Sequence, residues 1–323
     1  MAELKEKTLN LAFLGCGFAT RLHSKTLTGL NDKVRRYYAS RNKEKAIAYC
    51  RKYKGHGYFE SYNAAINDPN MDVILVATPP VQHLELTLQA LRAGKHVIVE
   101  KPPFLHSTDF DRVRQVQAET GRRILVAENY FYKPLAIRLR QIISEGLIGD
   151  VRFVHVNALK KQKTEDWRDD ASVSGGGALF EGGIHWINFI ANLGLKIKYA
   201  RGFRPGAKKG LEKSMLVAIQ YEEGPVGAFY YSWEIPSLFK GLRLSKIYGT
   251  KGSITFESNG VFIFVRGKKK RFIIPKLADI AGYKNMFQDF IQCLREDKDP
   301  QFSLDLAQID LKLIEDIYQS LNN

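Results

Sequence analysis

Residues 73–103 read VILVATPPVQHLELTLQALRAGKHVIVEKPP. Val73-Ile74-Leu75-Val76-Ala77 is an apolar run rich in β-branched residues, the pattern of a strand buried on both faces. Thr78-Pro79-Pro80 ends it. Leu84, Leu88 and Leu91 then recur at helical spacing, and Gly94 follows as a C-cap. His96-Val97-Ile98-Val99 is a second buried strand, closed by Glu100-Lys101-Pro102-Pro103. Strand, helix and strand in about thirty residues make a βαβ unit, which is parallel and right-handed.

Open α/β sheets bind their ligands outside the carboxyl ends of the strands. Thr78-Pro79-Pro80 and Glu100-Lys101-Pro102 both fall on that edge. A lysine between a carboxylate and a proline, just past a buried strand, stands on stiff backbone. That suits a group that gives and takes a proton; the simpler alternative is an exposed lysine paired with Glu100.

The remaining composition narrows the class. The chain has 323 residues, 45% hydrophobic and 26% charged, enough for a real core in one or two domains. No apolar run approaches the roughly 18 residues of a membrane span. The N-terminus, MAELKEKTLNLAFLG, passes from a polar lead into a strand, unlike a secretory signal. Cys16, Cys50 and Cys293 lie far apart, with neither metal spacing nor a disulfide framework. These features predict a cytoplasmic protein without a metal site or membrane contact. The net charge of +15 is scattered, and its densest run, RGKKKR at 266–271, lies between apolar segments as a hairpin tip. It reads as a solvated turn and not a nucleic-acid patch. An anionic cofactor or substrate accounts for part of the excess.

Upstream, 9–14 is a first strand that meets Gly15-Cys16-Gly17-Phe18-Ala19-Thr20, and a helix follows. This is a dinucleotide fingerprint with Thr20 in place of a third glycine: Gly15 permits the tight turn, and Gly17 lets backbone approach a pyrophosphate at the helix N-terminus. The second strand, 34–39, ends at Ser40-Arg41-Asn42. An acidic residue there would hold the ribose 2′-hydroxyl of NAD; Ser40 and Arg41 instead suit a 2′-phosphate, so NADP is expected, with NAD possible. Helices are expected over 43–54 and 61–67. Ser107 should N-cap another that ends at Thr120 before Gly121, and 124–127 should be a further strand. The dinucleotide domain is expected to span 1–128.

Residues 129–323 change character. After a helix over 134–144, strand-like runs at 151–158, 215–221, 228–233, 243–248, 253–256 and 261–265 imply a largely antiparallel open sheet. Two helices, 285–296 and 303–321, close the chain. The expected class is α/β: a Rossmann domain followed by an α+β domain. Within the second half, Gly175-Gly176-Gly177 precedes Glu181-Gly182-Gly183-Ile184-His185. If 178–193 is a helix, Glu181 and His185 at i, i+4 share a face. Gly182 and Gly183, poor helix formers, point to close packing against the backbone. A histidine with a carboxylate one turn away can move protons near neutral pH; a buried structural pair fits the spacing equally.

These motifs resemble the glucose-fructose oxidoreductase, inositol dehydrogenase and MocA-like family along nearly the whole chain. The marks are Gly15-Cys16-Gly17, Ala77-Thr78-Pro79-Pro80 with His83, Ala93-Gly94-Lys95-His96, Glu100-Lys101-Pro102, Trp167-Arg168, Gly175-Gly176-Gly177, Glu181 to His185, and Gly249-Thr250-Lys251-Gly252. The resemblance implies a Rossmann domain carrying NAD(P), and a C-terminal sheet whose outer face makes a homodimer or higher oligomer. It places Gly15, Gly17, Phe18, Ala19, Ser40, Arg41, Thr78, Pro79, His83, Glu100 and Lys101 around the cofactor. It places Lys101, Tyr130, Trp167, Arg168, Glu181 and His185 around a polyol or sugar-derivative substrate. Lys101 and His185 then serve as acid and base, with Glu181 where many members carry aspartate and Asn188 replacing another common aspartate. The implied reaction is hydride transfer with a secondary alcohol. Two other outcomes share the fold: a cofactor-sensing regulator without turnover, and a glycosidase that uses held cofactor transiently.

Overall fold

The computed structural model describes residues 7–164, 170–206, 210–237 and 241–322, with the side chains of 171, 172 and 322 excepted. It divides into two compact units. One comprises the chain to Glu128 together with Tyr283–Gln308; the other comprises Asn129–Gly282 and the chain from Ile309. The expectation of a second domain running unbroken from 129 to the C-terminus is thus corrected, because the helix Tyr283–Glu296 returns to the first unit.

The first unit is built on a six-stranded sheet of β1 (Leu9–Leu14), β2 (Val34–Ala39), β3 (Gly57–Phe59), β4 (Val73–Val76), β5 (His96–Glu100) and β6 (Ile124–Ala127). The order is β3-β2-β1-β4-β5-β6, with every pairing parallel. β4, β5 and β6 are buried at every position, as their unbroken apolar runs require. Helices α1 (Phe18–Thr28), α2 (Lys43–Lys52), α3 (Tyr62–Asn67), α4 (His83–Arg92) and α5 (Asp109–Thr120) connect the strands. The strand order reverses between β1 and β4, which makes their carboxyl ends the switch point where such sheets bind ligands. The register aligns those ends: Leu14 pairs with Ala39 and with Val76, and Val76 with Val99. Ser107 is not the cap of α5. Thr108 occupies that position without a side-chain bond; the Asp109 carboxylate accepts the His106 N–H at 3.1 Å, and Gln308 donates to the Ser107 carbonyl at 2.9 Å. Gly121, at φ +64°, closes the helix in the left-handed region.

The second unit contains α6 (Pro134–Ser144), β7 (Val151–Leu159), α7 (Ala171–Ser174), α8 (Ile184–Ala191), β8 (Ile197–Phe203), β9 (Ser214–Tyr221), β10 (Val226–Ser232), β11 (Leu244–Gly249), β12 (Gly252–Glu257), β13 (Ile263–Arg266) and β14 (Lys270–Ile273). Its eight strands run in the order β14-β13-β12-β11-β7-β10-β9-β8. All neighbours are antiparallel except β7 and β10. One face is buried: Val156, Val217, Ile219, Phe229, Ile247 and Phe256 point into the core, where Phe189 of α8 meets Phe256 at 5.9 Å between rings. On the other face Phe153, Tyr199, Leu244 and Tyr248 are exposed.

β8 escapes the sequence reading. It is an edge strand rich in charge, and its Gly202 lies against Ile317 of α10 (Leu304–Gln319), with the Gly202 N–H donating to Ser320 Oγ at 2.8 Å. The tip of the last hairpin, Gly267 to Lys269, is the basic turn expected from RGKKKR. Among the described residues, no helix is long and apolar enough to cross a membrane.

Candidate active site

In the first unit the glycine turn follows β1. Gly15 has φ +105°, and a Cβ there would stand 2.6 Å from the Ala77 carbonyl oxygen, so two strand ends meet only because a side chain is absent. Thr20 Oγ1 donates to the Gly15 carbonyl at 2.7 Å and the Tyr49 hydroxyl to the Gly17 carbonyl at 3.1 Å, fixing the loop from both sides. A Cβ on Gly17 would meet nothing within 4 Å. The first turn of α1, beginning at Phe18 and Ala19, carries neither an acidic residue nor a side-chain cap. Open space over free helix N–H groups suits a diphosphate. Burial pushes the Cys16 thiol up to about 12, so it carries no thiolate chemistry at neutral pH.

Around this turn the same edge presents the other expected residues. Ser40 is buried, and its Oγ accepts the Asn42 N–H at 3.2 Å; Arg41 is exposed and hydrogen-bonds the Tyr62 phenol. No acidic side chain takes the place of Ser40 or Arg41. Thr78 and Pro79 follow β4, and Thr78 Oγ1 is buried without a hydrogen-bond partner. A nicotinamide dinucleotide fits this donor set: an open glycine turn, an orphaned hydroxyl and a cation at the end of β2. Glu100 and Lys101 follow β5, Glu100 buried and Lys101 half-buried, and the Lys101–Pro102 peptide is cis. His83, expected to line the cofactor, instead lies beneath the turns with its ring buried and both nitrogens on main-chain carbonyls.

In the second unit Tyr130 stacks on His185, with ring centroids 4.6 Å apart and planes 14° from parallel. Lys133 Nζ lies 4.3 Å from the centre of the Tyr130 ring. His185 is half-buried at the start of α8, and Glu181 is buried beside it in sequence. The segment is not one α-helix from 178. Leu179–Gly183 is a π-helical turn that runs into α8, so the α-helical i, i+4 spacing expected between Glu181 and His185 does not hold through it. Within it the Tyr231 hydroxyl occupies the space of a Gly182 side chain, and Leu179 that of Gly183. This is the close approach that the two glycines foretold. Asn188, one turn after His185, donates to Asp310 Oδ2 at 2.7 Å.

The start of this segment is held by residues that nothing in the sequence singles out. Glu212 Oε1 accepts the Leu179 N–H at 2.8 Å and the Tyr318 hydroxyl at 2.7 Å, while Tyr318 accepts the Phe180 N–H at 3.2 Å. Burial raises the Glu212 carboxyl pKa, and these donors oppose it. Glu212 thus does the work of an N-terminal cap from a distant strand entry. Gly177 is the third glycine of its run because a side chain there would collide with the Glu212 carboxylate. Trp167 and Arg168 lie outside the described residues. Among the described residues, no group of three or more His, Cys, Asp or Glu is placed to hold a metal ion.

Comparison with known proteins identifies the family and the fold. Residues 9–128 match the oxidoreductase family model with the NAD-binding Rossmann fold, and 136–255 match the GFO/IDH/MocA C-terminal domain. Trans-1,2-dihydrobenzene-1,2-diol dehydrogenase of Sus scrofa is 27% identical over 249 residues, 73% of this chain and 71% of that protein. Levoglucosan dehydrogenase of Pseudarthrobacter phenanthrenivorans is 28% identical over 202 residues, 58% of this chain but 51% of that protein. A levoglucosan dehydrogenase structure, in complex with NADH and levoglucosan, superposes with a TM-score of 0.88 at 21% identity, covering 98% of each chain. That last likeness is one of fold.

Proposed function

Because the chain belongs to the glucose-fructose oxidoreductase, inositol dehydrogenase and MocA (Gfo/Idh/MocA) family of oxidoreductases, we propose that it transfers a hydride between NADP and a secondary alcohol or ketone of a sugar, cyclitol or sugar derivative. The observation that carries this reading is the sheet register, which brings Gly15, Ser40, Thr78 and Lys101 to one edge directly after paired strand ends. Gly15, Gly17, the N-terminus of α1 and Thr78 would hold the dinucleotide, and Ser40 and Arg41 its 2′-phosphate. When bound, the nicotinamide supplies the hydride donor or acceptor. As groups to handle the proton of the substrate hydroxyl, the first unit offers Lys101 and the second unit His185. Tyr130 restricts the His185 ring by stacking.

Turnover of D-glucose, D-xylose, myo-inositol and D-gluconate with each oxidised cofactor tests the class. Steady formation of reduced cofactor with one of them is expected. Tight binding of cofactor with no turnover of any would favour a regulator.

The cofactor assignment has its own test. NADPH should bind more tightly than NADH in fluorescence titrations, and Arg41→Ala should weaken NADPH selectively, by about 1.5–3 kcal/mol for one charge-assisted contact. NADH binding as tight as NADPH binding would refute the assignment.

The outer face of the eight-stranded sheet supports a twofold dimer. Phe153, 57% exposed, pairs across strands with Val226 and with Tyr248, which are exposed too. A contiguous apolar row of this kind calls for a partner, and a self-complementary copy is the simplest closed solution. Light scattering at micromolar concentration should give about twice 36.8 kDa. A mass of one chain throughout would rule the dimer out.

A further inference from the structure

The turn that carries Lys101 has a buried histidine on either side. His23 of α1 is 0% exposed, and its Nε2 contacts Glu100 Oε1. Its ring meets Tyr283 and Phe287 of α9 (Tyr283–Glu296) edge-on, at 5.4 and 5.2 Å between centroids. The second carboxylate oxygen of Glu100 accepts the backbone N–H of Lys101 at 3.1 Å. A chain of contacts therefore runs from the helix after the glycine turn, through one carboxylate, to the main chain of the lysine.

On the other side His83 of α4 is 1% exposed. Its Nδ1 lies 2.8 Å from the Pro102 carbonyl oxygen, and its Nε2 2.7 Å from that of Thr78. Thr78 follows β4 and Pro102 follows β5, so one imidazole links the two neighbouring turns at the ligand edge of the sheet. Carbonyl oxygens only accept, so each ring nitrogen bonds its carbonyl when it carries the proton. Burial is the largest influence on His83 and holds its pKa below the ordinary value, with the two carbonyls and the Glu100 carboxylate opposing it.

We propose that His23 and His83 are positioning residues that hold the Lys101 turn, His23 through Glu100 and His83 by tying Pro102 to Thr78. Both rings are buried, and each acts through the backbone that aims the lysine. This inference rests on the reading of Lys101 as the group that acts on substrate. Misplacement of such a group by about 1 Å costs on the order of 10²-fold in rate.

The test combines steady-state kinetics on the panel substrate turned over fastest, NADPH titration and amide hydrogen exchange, for His23→Leu, His83→Leu, His83→Gln and Lys101→Ala. His83→Leu and His23→Leu should lower kcat by about 10²-fold while KM and the NADPH dissociation constant stay within a few-fold. Exchange at the Glu100 and Lys101 amides should accelerate in both, with the rest of the sheet still protected. His83→Gln keeps one donor and should recover part of the lost kcat; it also stands in should His83→Leu fail to fold. Wild-type kcat in His83→Gln and His83→Leu, beside an inactive Lys101→Ala, overturns the positioning role and leaves Lys101 assigned. Glutamine no better than leucine, with kcat and NADPH affinity lost together, also overturns it. Near-normal turnover in Lys101→Ala removes the assignment of Lys101, and the positioning role with it.

Discussion

Lys101→Ala lowers kcat by about 10²- to 10⁴-fold, the range of a general acid or base, and leaves NADPH affinity within a few-fold. The expectation follows from where the residue stands. β5 is buried throughout and delivers Lys101 half-buried at the carboxyl edge of the sheet, beside the turn of Thr78. The competing account, an exposed lysine paired with Glu100, gives the residue no part in the chemistry. That account predicts near-normal turnover. Lys101→Arg should be impaired too, because a planar guanidinium does not reproduce a compact ammonium and does not give up its proton. Steady-state kinetics beside a fluorescence titration of NADPH separates lost chemistry from lost binding.

His185→Ala should cost a comparable 10²- to 10⁴-fold in kcat, again with NADPH affinity within a few-fold. The imidazole is held by the face of Tyr130, and the Lys133 ammonium lies over that same tyrosine ring. A ring packed this way has one orientation, which is what a proton carrier needs. His185→Asn keeps polarity and a donor without an imidazole and should be nearly as slow. Glu181→Gln should lose far less, because Glu181 does not carry the proton. If His185→Ala turned over substrate at the wild-type rate, the histidine would be a packing partner of Tyr130 and nothing more.

The sequence carries the first unit almost element by element, because parallel strands buried on both faces must be unbroken β-branched runs, and Gly15, Gly94 and Gly121 punctuate them. It is less informative wherever distant residues set the local geometry. The π-helical turn at Leu179–Gly183 packs against Tyr231, and its start is held by Glu212 and Tyr318; local spacing sees only an α-helix with two glycines. His23 carries no local signal either, since its partner lies 77 residues away at Glu100. His83 is visible as a motif residue, but its burial beneath two turns is not, because both carbonyl partners exist only once β4 and β5 are paired. The return of Tyr283–Gln308 to the first unit is likewise a tertiary fact: an amphipathic helix shows an apolar face without naming what covers it.

The most direct test of hydride transfer follows deuterium. The enzyme is given NADPH carrying deuterium at both C4 positions of the nicotinamide and a keto sugar derived from the substrate found in the panel, and the product is examined by NMR. One deuterium at the new carbinol carbon, with NADP⁺ formed in equal amount and no label lost to water, is the predicted result. A product without deuterium, or a cleaved glycosidic bond with the cofactor's redox state unchanged, would contradict the account.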